Sequence, residues 1–228
     1  VTSFDVVCLQ ETFTTASFDF GIHFDKFLVV VSPAVRLSRM GRSSGGTVLL
    51  VRKSLSDYVT VVESGVDNIL CVRLSKMLFG SDKDVVFIGT YIHPTSSPYY
   101  QDKEYDCTID ELEHVVLSIL EGDDVHFVVG GDLNARIGEW GLEVTDDGDD
   151  ETNAFSDTTF TFARKSEDKT VNNFGRSLIN FCSVFDLLPL NGLVQSGFDD
   201  TFTFLSENGR SVIDYFLCSV DFAPFICS

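Results

Sequence analysis

No stretch of about 18 consecutive apolar residues occurs in the sequence, so no segment reads as a bilayer-spanning helix. A signal peptide is equally missing, and the sequence opens on Val1 rather than a methionine, so a fragment or a processed piece is expected. Cys-x-x-Cys pairs are absent. The six cysteines (Cys8, Cys71, Cys107, Cys182, Cys218, Cys227) fall singly, several inside apolar runs. That argues against a zinc site or a disulfide frame and for reduced core thiols of an intracellular protein, nuclear or cytoplasmic. Positive charge is scarce as well: 16 Lys and Arg stand against 35 Asp and Glu, a net −19 that at first sight excludes a polyanionic partner.

What is present softens that exclusion. Lys26, Arg36, Arg39, Arg42, Arg52 and Lys53 fall in a segment with no acid among them. The acids crowd elsewhere, most densely in Glu143, Asp146, Asp147, Asp149, Asp150 and Glu151, which read as a solvated loop. That run lacks the ligand spacing and closing glutamate of a calcium loop. With 228 residues and a hydrophobic share of 44%, one globular domain over 1–228 is expected.

Apolar runs mark the strands. Val6 to Leu9, Phe27 to Val31 and Thr47 to Val51 read as strands, the last following a Ser/Gly/Arg loop. In that loop, Gly41 to Gly46 with Arg42 suits either a phosphate, held through backbone amides and the guanidinium, or a plain hairpin connection. No Gly-Lys-Ser/Thr closes it as a P-loop. Tyr58 to Val62, Ile69 to Leu74 and Val85 to Ile92 predict an antiparallel meander that ends at Tyr91-Ile92-His93-Pro94. Thr108-Ile109-Asp110-Glu111 is a capping box ahead of a helical apolar pattern, and Leu178, Phe181, Cys182 and Phe185 give a second helix, capped by Asn172 or Asn173. Phe202 to Phe204 and Ser211 to Leu217 read as strands joined at Asn208-Gly209.

Two places carry chemistry on their own terms. Val125 to Val129 runs into Gly130-Gly131 and then presents Asp132 and Asn134 at a strand end, where helix-covered sheets collect ligands. Asp214 sits in an otherwise apolar strand, and a buried acid needs a partner.

Four motifs, in this order and at these separations, resemble the endonuclease/exonuclease/phosphatase superfamily with the DNase I-like fold. They are Leu9-Gln10-Glu11-Thr12, Tyr91-Ile92-His93-Pro94, Gly131-Asp132-Leu133-Asn134-Ala135 and Ser211-Val212-Ile213-Asp214-Tyr215. Asp132 to Gly138, Asn173 to Leu178, Phe181-Cys182, Leu190-Asn191-Gly192 and Phe202-Thr203-Phe204 further resemble the endonuclease domain of LINE-type non-LTR retrotransposons and the related craniofacial-development-protein-2-like proteins.

The resemblance implies a four-layer α/β sandwich, two mainly antiparallel sheets flanked by helices, that cleaves a phosphodiester with Mg²⁺, or Mn²⁺ in its place. It implies Glu11 as metal ligand and Asp132 as the group that activates or positions the attacking water. Asn134, Tyr91 and Thr203 would donate hydrogen bonds to the phosphate, and Asp214 would orient a catalytic histidine. Arg42 is a substrate-binding candidate. DNA is the implied substrate, and a reverse transcriptase domain in the parent polypeptide the implied companion. The family pattern also carries an asparagine strand ahead of the first motif and a Ser-Asp-His motif after the last. Neither lies in the sequence, and His23, His93, His114 and His126 stand in other contexts. An incomplete domain with weak or no catalysis is the expectation. A non-catalytic binding module and a phosphatase of the same superfamily are the alternatives.

Overall fold

The computed structural model describes residues 4–36, 43–100, 108–141, 162, 164–193, 200–207 and 209–226. The acidic run from Glu143 to Glu151, Arg39, Arg42, Cys107, Cys227 and Asn208 lie outside them. In chain order the elements are β1 (Val6–Leu9), α1 (Phe20–His23), β2 (Phe27–Ser32), β3 (Thr47–Arg52), β4 (Val59–Val62), β5 (Ile69–Leu74), β6 (Val85–Tyr91), α2 (Thr108–Leu120), β7 (His126–Asp132), α3 (Asn173–Val184), β8 (Leu187–Pro189), β9 (Phe204–Ser206), β10 (Gly209–Ser211), β11 (Asp214–Ser219) and α4 (Ala223–Ile226).

Two main sheets form. The smaller runs β1-β3-β2, antiparallel throughout; the larger runs β4-β5-β6-β7-β11-β8, with β6 and β7 its parallel pair. Alternation along each strand sorts the side chains into layers. In β3, Leu49 and Val51 face inward onto Leu70, Val72 and Val85 of the larger sheet. Val48 and Leu50 face outward and pack with Phe20 and Phe27, so the α1 segment covers that side. On the far face of the larger sheet, Ile69, Ile88, Val129 and Leu217 meet Leu112 and Val116 of α2 and Leu178 and Phe181 of α3. The result is helix, sheet, sheet, helical segment, the four-layer α/β arrangement. Leu49 and Leu50 are wholly buried on opposite faces of one strand. Truncating either to Ala costs about 2–5 kcal/mol.

Local chemistry explains the boundaries. Asn172 caps α3, its side-chain oxygen accepting from the Gly175 amide at 2.7 Å. The first meander strand begins at Val59, because Lys53–Tyr58 forms a 3-10 turn before it. The expected strand from Ser211 to Leu217 is instead two strands. Val212 and Ile213 give their amide hydrogens to the side chains of Asp168 and Thr203, so the ladder breaks between β10 and β11. Its partner strand also sits later than expected, at Phe204–Ser206, paired with β10 as a free-standing hairpin. Cys71, Cys182 and Cys218 are buried and Cys8 is partly so, none of the four in a disulfide. Among the described residues no helix is long and apolar enough to cross a membrane.

Candidate active site

β6, β7 and β11 are neighbours, and their register sets Tyr91 opposite Asp132 and Asp132 opposite Asp214. Directly paired residues point to the same face of a sheet. Val128, four residues earlier on the Asp132 side of β7, packs into the core between the sheets. The three side chains therefore form a row facing the smaller sheet. From that sheet comes Glu11, just past the end of β1, with φ +48. Its Oε1 accepts the Tyr91 hydroxyl at 2.8 Å, a bond that spans the two sheets.

The row below explains why the site can be this compact. Gly89 is paired with Gly130, and Gly130 with Phe216. Cys8 lies over Gly89 and the Phe216 ring over Gly130, where added Cβ atoms would approach to 2.6 and 2.7 Å. Gly131 is more constrained: at φ +152, a Cβ would lie 1.9 Å from the Thr90 carbonyl oxygen. The strand read as Val125 to Val129 runs on through both glycines, which lie within β7. The turn comes after Asp132, whose Oδ1 accepts the Asn134 amide at 2.9 Å, with Asn134 itself at φ +45. Asn tolerates that conformation better than most residues.

Burial pushes Asp132 up to about 7; the Asn134 amide opposes this, and the charges of Asp214 and Glu11 add to it. Burial also raises Asp214, against a hydrogen bond with Thr203. Tyr91 is raised by burial and by its bond to Glu11, so it remains a phenol. A carboxyl near 7 suits a general base, since it is substantially ionised at neutral pH yet still proton-hungry.

The hydrogen-bond partners revise the expected donors. The Tyr91 hydroxyl hydrogen goes to Glu11. The Thr203 oxygen accepts from the amides of Ile213 and Asp214 at 3.1 and 3.2 Å, and its side chain also bonds the Asp214 carboxylate. Of the three, Asn134 alone keeps a donor to offer, one amide hydrogen being given to the Ile92 carbonyl at 2.7 Å. Arg42 lies outside the described residues. Arg52, from the basic segment, is paired with Asp5 at 2.8 Å. Two of the histidines are engaged elsewhere: His93 stacks on Tyr99 and faces Asn68, and His126, at the opposite end of β7, lies between Asp221 and Asp82.

Sequence reasoning passed over two supports. Asn191 grips the start of β11, donating to the Asp214 carbonyl at 3.1 Å and accepting the Phe216 amide at 2.9 Å. It lay in a quoted motif, without a role. Asp168 gave no signal, being one acid in a mixed charged stretch.

A model of the endonuclease/exonuclease/phosphatase family matches residues 1–226. The chain belongs to that family. Its members are hydrolases, nucleases and phosphatases among them, and the two sheets with flanking helices recur in solved relatives. An AP endonuclease from Leishmania major superposes with a TM-score of 0.62 at 15% identity, over 97% of this chain and 72% of that one. The 3' phosphatase NExo from Neisseria, solved with a product DNA hairpin, gives 0.57 at 14% identity, over 96% and 78%. The endonuclease domain of TRAS1, a telomere-specific non-LTR retrotransposon, gives 0.48 at 15% identity over 86% and 69%, too loose a match to bear on substrate. No curated protein matches the chain by sequence. At these identities the likeness is one of fold.

This superfamily generally uses a divalent metal, and the donors present fit one. Among the described residues no three His, Cys, Asp or Glu side chains cluster closely enough to cage an ion. Glu11 is an exposed, hard carboxylate at the edge of the row. That suits Mg²⁺, which keeps several waters and takes one or two carboxylates together with substrate phosphate.

Proposed function

We propose that residues 1–228 form one phosphodiesterase domain that hydrolyses DNA weakly, in the manner of the nicking endonuclease of a retrotransposon-type protein, with Mg²⁺ (or Mn²⁺) held at Glu11. The observation that carries this reading is the row Tyr91, Asp132, Asp214 on three adjacent strands, with Glu11 bonded to its first member. The LINE-like motifs from Asp132 to Gly138 and from Asn173 to Leu178 support the choice of DNA. So does the hairpin β9-β10 beside Thr203, which exposes Phe204 and Leu205 and lays Arg210 over Phe202 at 4.3 Å.

A phosphodiester is an anion attacked by water. Bound Mg²⁺ supplies positive charge against the charge that develops on the phosphate. Asp132 takes the proton from the water, and a positioned base contributes about 10²–10⁴ in rate. Asn134 offers its remaining amide hydrogen to a phosphate oxygen. Tyr91 fixes the Glu11 carboxylate, and Thr203 holds the Asp214 backbone and carboxylate together.

The test is conversion of supercoiled plasmid to nicked circle in Mg²⁺, against EDTA and against Asp132→Asn. Nicking that both controls remove supports the reading. Wild-type protein that nicks in neither Mg²⁺ nor Mn²⁺ overturns it, and leaves a non-catalytic binding module. One observation favours that second reading: His93 and His126 both have partners away from Asp214. A panel of phosphomonoesters separates a phosphatase from a nuclease.

A further inference from the structure

Asp168 lies in the segment leading to α3, only 3% exposed, and is not a member of the row. Its carboxylate nevertheless takes four donors. Oδ1 accepts Arg136 Nη2 at 2.6 Å and the Thr170 amide at 3.0 Å; Oδ2 accepts Arg136 Nε at 2.7 Å and the Val212 amide at 3.1 Å. Arg136 follows Asn134 closely in sequence, and Val212 closely precedes Asp214. One buried carboxylate thus joins the loop that leaves β7 to the segment that enters β11.

Two further bonds brace this arrangement. Asn172 accepts the Arg136 amide at 3.0 Å while its own amide donates back to the Arg136 carbonyl at 3.1 Å. Between the clamped segments the Leu133 amide donates to the Ile213 carbonyl at 2.9 Å, directly behind the facing pair Asp132 and Asp214. The same clamp accounts for the break between β10 and β11, because the Val212 amide turned toward Asp168 is withdrawn from any strand ladder.

We propose that Asp168 is a positioning residue for this site: by gripping Arg136 and the Val212 amide with one carboxylate, it holds Asn134 and Asp214 at a fixed separation across the β7-β11 pair. The inference rests on the phosphodiesterase reading for its catalytic consequence, but its geometric content stands apart from it. The geometry makes Asn a sharp substitution. Both carboxylate oxygens accept two N–H groups, so an amide of the same shape turns an NH₂ against two donors whichever way it is flipped.

The experiment compares wild type, Asp168→Asn and the milder Arg136→Lys, which keeps the charge and loses the fork. Plasmid nicking and amide hydrogen exchange are measured on the same folded samples. Asp168→Asn is expected to lower kcat at least tenfold with KM within threefold. It is also expected to speed exchange at Leu133 at least tenfold while Val72, in the distant β5-β6 pairing, is unchanged. Arg136→Lys moves both readouts in the same direction by less. A kcat equal to wild type overturns the proposal, as does acceleration spread evenly over Leu133 and Val72, which marks general destabilisation. If wild type does not nick, the phosphodiesterase reading fails by itself; Leu133 exchange then decides, and protection unchanged in both variants overturns the clamp.

Discussion

Asp132 and Asp214 stand directly opposite each other, register partners on the antiparallel strands β7 and β11. Two acids so placed oppose each other's ionisation. Burial, and then the charges of Asp214 and Glu11, push Asp132 up to about 7 even though the Asn134 amide pulls it down. The site is therefore tensioned electrostatically before any ligand arrives, and that tension is measurable.

A carboxyl raised in the folded state binds its proton more tightly there than in the unfolded chain. Stability accordingly falls as pH rises from the ordinary carboxylate range through about 7. Asp132→Asn removes that loss. Thermal melts of variant and wild type should coincide below about pH 4. Above neutrality the variant should melt higher by roughly 2–6 °C, the equivalent of about 1–2 kcal/mol in a chain of this size. Identical melts at pH 8 would refute the raised ionisation of Asp132.

Mg²⁺ held at Glu11, as proposed, would offset the same negative charge from outside. Wild type at pH 8 should melt several degrees higher in millimolar Mg²⁺ than in EDTA, because a ligand that binds only the folded state stabilises it. Glu11→Gln should erase most of that increment without lowering the metal-free melting point by more than about 1–2 °C, since Glu11 is exposed. A full Mg²⁺ response in Glu11→Gln removes Glu11 as the ligand.

Thr203 separates a substrate contact from a support. Its oxygen accepts two backbone amides, Ile213 and Asp214. Thr203→Val should lose about 1–3 kcal/mol in urea denaturation, whereas Thr203→Ser keeps the oxygen and should stay within about 0.5–1 kcal/mol of wild type. Equal stability of the two variants would return Thr203 to a purely ligand-facing role.

Gly131→Ala and Gly130→Ala should differ in severity. At Gly131 the added carbon meets the Thr90 carbonyl at 1.9 Å, backbone that cannot yield without breaking the β6-β7 pairing. At Gly130 it meets the Phe216 ring at 2.7 Å, and that ring is 47% exposed and free to swing. Expected losses are more than about 3 kcal/mol for Gly131→Ala and about 1–2 kcal/mol for Gly130→Ala. Urea midpoints check the ranking, and the reverse order would contradict it.

Much of the frame was legible because burial writes itself as pattern. β2, β3, β5 and β6 are continuous apolar runs, and α2 and α3 repeat at helical spacing. β8 was not legible, being three residues that follow a helix and end on a proline. The split between β10 and β11 was hidden for another reason: its causes, Asp168 and Thr203, are side chains whose reach across the chain has no local signature. At the site, the motifs named Glu11, Tyr91, Asp132 and Asp214 but left their register open. The partners of Tyr91 and Thr203 followed from folding alone, and they changed what each residue has left to offer.

Glu11 and Asp132 ride on different sheets, so the distance between them is a gap between two layers rather than a matter of side-chain choice. What sets that gap nearby is missing substance. Gly89 and Gly130 lie side by side one row below the site, and the sulfur of Cys8 rests in the hollow left at Gly89. A single methyl at Gly89, 2.6 Å from that sulfur, would act as a shim driven between the layers just before Glu11. The bare strip of sheet is the gauge against which the two halves of the site are set.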